Sequence, residues 1–75
     1  MTLHILNRTG HTEVLDLSTD EMVRELEKAM NESGPGRVMI AESPGQAPIY
    51  LRNPNAVKGL AETTTVTVMP QLAGG

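Results

Sequence analysis

The sequence ends in Gly74-Gly75. A carboxylate on a residue without a side chain is the group here whose type and place best suit a reaction. A carboxylate is inert until activated. Adenylation brings it against the α-phosphate of ATP inside an enzyme cleft, and a Cβ on either final residue would obstruct that approach and restrict the dihedrals available. The acyl adenylate then yields to a sulfur or amine nucleophile. The chain has no cysteine, so a thiolate or persulfide must come from a partner. The plain alternative is a flexible terminus that happens to end in two glycines. That coincidence arises in about 1 in 200 chains at average glycine usage, so the dipeptide gains weight only from a fold that presents it.

Other polar groups carry less. His4 and His11 can face each other across a hairpin, but two ligands without a third rarely hold a metal, and both read as solvated. Asp20, Glu21, Glu25, Glu27 and Glu32 read as a solvated helix face, with no general-base partner or cleft evident. Gly34-Pro35-Gly36 lacks the Lys-Ser/Thr of a phosphate-binding loop and follows a helix rather than a strand, so it reads as a helix stop. No catalytic residue and no metal ligand is assigned. The chain reads as a substrate of enzymes rather than an enzyme.

The elements that must present the tail are legible in order. Residues 2–6 form a strand candidate with Met1, Leu3 and Ile5 on one face. Turn residues follow from Asn7 to His11, where Gly10 can take a positive φ. Residues 13–17 resume an extended pattern, with Leu15 and Leu17 inward and Asp16 outward, which completes a β-hairpin. Ser18 and Glu21 have the spacing of a helix capping box, and Asp20 and Glu21 suit the first turn. Met22, Val23, Leu26, Ala29 and Met30 then fall on one helical face. Ser33-Gly34-Pro35-Gly36 ends that helix.

Residues 37–41 form a third strand. Residues 48–51 form a short edge strand bracketed by Pro48 and Pro54. One turn of helix is expected around residues 56–60. Residues 63–69 form the last strand, with Val66 and Val68 inward. The expected fold is α+β: a β-grasp of order ββαβ(β)β, with one helix packed on a mixed sheet of four to five strands whose first and last strands lie side by side. Residues 1–69 make the domain. Residues 70–75 make a projecting tail, since Pro70 cannot donate a ladder hydrogen bond.

Composition narrows the classes. At 75 residues the chain is one domain, and its core must be aliphatic: Phe and Trp are absent, Tyr50 is the single aromatic, and five Met help fill the interior. The net charge of -3 and scattered Lys and Arg argue against nucleic acid as a partner. No apolar run approaches the roughly 20 residues of a membrane span. No signal peptide is visible, and a cytoplasmic monomer is expected.

The residues resemble ubiquitin and the ubiquitin-like sulfur carriers. Thr9, Gly10 and Thr12 are similar to ubiquitin's first turn, and Leu15-Asp16-Leu17 to its second strand. Val23, Leu26 and Met30 fall where its helix places core aliphatics. Arg37-Val38-Met39-Ile40-Ala41 resembles its third strand, and residues 65–75 its final strand and tail. Residues 42–62 match poorly, apart from Asn55-Ala56-Val57-Lys58. Pro70, Leu72, Ala73, Gly74 and Gly75 look more like the tails of bacterial sulfur carriers.

The resemblance implies an E1-like adenylating enzyme that uses ATP and Mg. It then implies either thiocarboxylate formation, for a sulfur-acceptor enzyme, or conjugation to lysines of target proteins. Leu72, Ala73, Gly74 and Gly75 would thread the activating site. Gln71 and Ala73 are neutral where ubiquitin's tail is basic, which disfavours a eukaryotic ubiquitin-activating partner. Ubiquitin's apolar recognition patch maps onto Met39 and Met69, with Arg8 in place of the apolar loop residue; together with Gln71 these form the expected partner-binding surface. Val38, Ile40, Val66 and Val68 would then supply the core face. The alternative is a ubiquitin-like protein-binding module that is never activated, of the phage tail-assembly type, using the sheet face.

Overall fold

The computed structural model describes residues 1–7, 10–33 and 37–70. It is an α+β arrangement in which a five-stranded mixed sheet carries one packed helix. The strands are β1 (Thr2–Asn7), β2 (Gly10–Val14), β3 (Arg37–Glu42), β4 (Ile49–Leu51) and β5 (Thr65–Pro70). Helix α1 spans Thr19–Ser33, and a 3-10 helix spans Pro54–Gly59. The spatial order is β2-β1-β5-β3-β4. β1 and β5 run parallel at the centre, and every other pair is antiparallel. This order is compatible with the expected β-grasp. Among the described residues, no helix is long and apolar enough to cross a membrane.

The helix starts as the sequence requires. The Ser18 N–H donates to Glu21 Oε1 at 3.1 Å, and the Glu21 N–H donates to Ser18 Oγ at 3.2 Å. Two donors left without helical partners at the N-terminus are thereby satisfied. The Ser18 backbone bond, then the Ser18 hydroxyl and Arg24, hold the Glu21 carboxyl below its ordinary range. The predicted stop at Gly34-Pro35-Gly36 lies outside the described residues.

Met22, Val23 and Leu26 of α1 pack on Leu3, Met39, Ala41, Val66 and Val68 of the sheet, with Leu51 and Val57 closing one side. Ala29 is buried and Met30 lies at the margin, so the predicted helical face is the observed one. Val66 and Val68 face inward as expected. The buried hydroxyl of Thr64 is within 2.8 Å of Ser43 Oγ, which meets its hydrogen-bonding requirement.

The second strand departs from expectation. It spans residues 10–14 rather than 13–17, and Leu15 is 60% exposed. Leu3 pairs with Val14, yet Met1 and Leu17 exchange both backbone bonds at 2.8 Å. Leu15 and Asp16 together therefore stand opposite Thr2, which is a β-bulge. Asp16 takes the left-handed conformation, φ 57°, that absorbs the extra residue. The bulge turns Leu15 outward and returns Leu17 to the core margin. Among the described residues of the hairpin, Gly10, φ 148°, is a second position that an L side chain would strain.

Candidate functional site

β5 is paired on both sides, by β1 and β3, and its last residue, Pro70, stands opposite Arg37. The expected end at Met69 is thus extended by one residue. The chain continues from the middle of the sheet, at the end where β3 begins. Gln71, Leu72, Ala73, Gly74 and Gly75 lie outside the described residues, as does Arg8.

The expected partner surface needs correction at Met39. That residue is 2% exposed and belongs to the core. It pairs with Val68 on one side and Leu51 on the other, both buried, so it points at the helix. Its neighbours Val38 and Ile40 face the opposite side of the sheet, half-buried. The expectation that Val38 and Ile40 supply the core is reversed.

Met69 does lie on the outer face, directly across from Val38. Ile40 stands between Thr67 and Tyr50 there, and Tyr50 is 75% exposed. Leu6 shares the outer face of β1 because it alternates with Leu3 and Ile5. The outer sheet face therefore presents Leu6, Val38, Ile40, Met69 and Tyr50.

A polar margin borders this patch on the hairpin side. His4 and Glu13 are cross-strand partners, and His4 Nε2 lies 2.6 Å from Glu13 Oε2. Reading the two histidines as merely solvated missed this pair; once Asn7 is matched with Gly10, counting back along the hairpin places His4 opposite Glu13. Among the described residues, no three His, Cys, Asp or Glu side chains are grouped to hold a metal ion. Comparison with protein-family models, curated proteins and solved structures gives no significant match.

Proposed function

We propose that this chain is a ubiquitin-like β-grasp protein that works through the carboxylate of Gly75, as a protein modifier or a sulfur carrier. The observation that carries the reading is Gly74-Gly75 following closely on a central strand. A strand bonded on both edges is a firm anchor, and two glycines give a tail slim enough for a narrow cleft. The order β2-β1-β5-β3-β4 with one helix on one face supports the same reading.

The chemistry proceeds on a partner. An E1-like adenylating enzyme holds ATP and Mg. A Gly75 carboxylate oxygen attacks the α-phosphorus, pyrophosphate leaves, and an acyl adenylate forms. A sulfur nucleophile of the partner system attacks the acyl carbon and AMP departs. Delivery of sulfur to an acceptor enzyme and transfer to a target-protein lysine both start from that adenylate. The setting is cytoplasmic, and this chain is the substrate rather than the catalyst.

The test is ATP–pyrophosphate exchange with an E1-like enzyme from the same cells. Exchange is expected with the intact chain and lost on deletion of Gly75. Equal exchange from both proteins rejects the mechanism. The apolar outer face around Ile40, half-buried except at Tyr50, favours a second reading, a binding module that is never activated. Loss of function in Ile40→Asp with none on deleting Gly75 would select it.

A further inference from the structure

We propose that the open edge of β2 docks a second copy of this chain, whose own β2 adds antiparallel about a two-fold axis through Thr12. β2 is a terminal strand of the sheet, and His11, Thr12 and Glu13 are exposed. Which of its backbone groups are free follows from the start of β1. Met1 and Leu17 exchange both bonds, while the Thr2 N–H turns the other way, to Thr64. Alternation then aims the backbone groups of Leu3, Ile5 and Asn7 at β2, where the register matches them with Val14, Thr12 and Gly10. Those three β2 residues are committed to β1. His11 and Glu13 direct their N–H and C=O groups at the open edge.

Side-chain chemistry selects the register. Antiparallel strands exchange close pairs of bonds only where outward-directed residues meet. An axis through Thr12 sets His11 against Glu13 of the second copy, and Glu13 against its His11. An imidazole then faces a carboxylate at both places, and Thr12 meets its counterpart in a favourable pair. Glu13 Oε2 is engaged with His4, and the other carboxylate oxygen can accept from the incoming His11. Axes through His11 or Glu13 would instead oppose like groups. The result joins two five-stranded sheets into one.

The two edges of the sheet are guarded differently. β4 has only three residues and lies between Pro48 and Pro54. β2 has no Pro and no Lys, and its bulge comes only after Val14. β1 separates β2 from β5, so the second copy grows the sheet away from Pro70. The proposal is independent of the tail chemistry and replaces the expected monomer.

Sedimentation velocity of the full chain from about 10 μM to about 1 mM spans the affinities that so small an interface gives. Wild type should shift reversibly from monomer to dimer. His11→Glu should stay monomeric, because its new carboxylate meets Glu13. Glu13→Lys should stay monomeric, because its new ammonium meets His11 and not a carboxylate. Mixing the two variants should restore association, since the carboxylate at position 11 of one faces the ammonium at position 13 of the other. Far-UV circular dichroism verifies that each variant is folded. A wild type that stays monomeric throughout overturns the proposal. So does a dimer indifferent to either single change, or a mixture no more associated than its components.

Discussion

Met39 and Ile40 are neighbours in β3 with opposite fates, and truncating each to alanine measures which face is the core. Met39 is 2% exposed between Val68 and Leu51, under α1. Burial of such a side chain is worth about 1.5–3 kcal/mol in transfer alone. With the cavity left behind, Met39→Ala should cost about 2–5 kcal/mol. Ile40 is half-buried on the face away from the helix, so Ile40→Ala should cost only about 1 kcal/mol in partial burial and strand preference. A 75-residue domain holds about 4–11 kcal/mol in total. Each kcal/mol moves the midpoint of a domain this size by about 4–8 °C, so a loss of about 3 kcal/mol lowers Tm by about 12–24 °C. Urea and thermal unfolding followed by far-UV circular dichroism would read both variants, since the chain lacks Trp and Tyr50 is exposed. If Ile40→Ala costs as much as Met39→Ala, the strand register is wrong by one residue, which would exchange its two faces.

Three further outcomes follow from local geometry. Ser18→Ala removes the cap of α1 and should lower stability by about 1 kcal/mol in urea titrations; no loss would mean the helix end is held by other contacts. Glu21 has a folded-state pKa below its ordinary value of 4.5, so its contribution is in place above that value and fades as pH falls through the lowered one. Wild type should therefore lose its urea midpoint more steeply in acid than Glu21→Gln, and parallel acid profiles would remove the capping box as the cause. Asp16→Val puts a β-branched residue at φ 57° and should cost about 1–2 kcal/mol, whereas Asp16→Gly should be tolerated; equal stability of the two would argue against the bulge.

What the sequence disclosed depended on whether a periodicity was present to read. Met22, Val23, Leu26, Ala29 and Met30 repeat at helical spacing behind a capping box, and α1 is where they place it. In β5 threonine and valine alternate, so the inward valines were legible. Val38-Met39-Ile40-Ala41 is apolar throughout and carries no alternation. Only its pairing with Val66 and Val68 fixes the face, and that pairing is long-range information. The bulge at Leu15 and Asp16 was hidden for a related reason: an extra residue flips the alternation, and Leu15, Asp16 and Leu17 look like an unbroken strand. At the candidate site, Met69 was placed on the correct face. Leu6, Val38, Ile40 and Tyr50 were missed; for Val38 and Ile40 the cause is that selecting Met39 assumed the opposite register.

The function proposed here rests on activation of a carboxylate at Gly75. Intact mass spectrometry of the protein from its own cells would show whether that activation occurs. The expected spectrum has a chain ending at Gly75 with a gain of about 16 Da, sulfur in place of oxygen, or Gly75 joined to lysines of other proteins. A native product that always continues past Gly75, with neither form present, would contradict it.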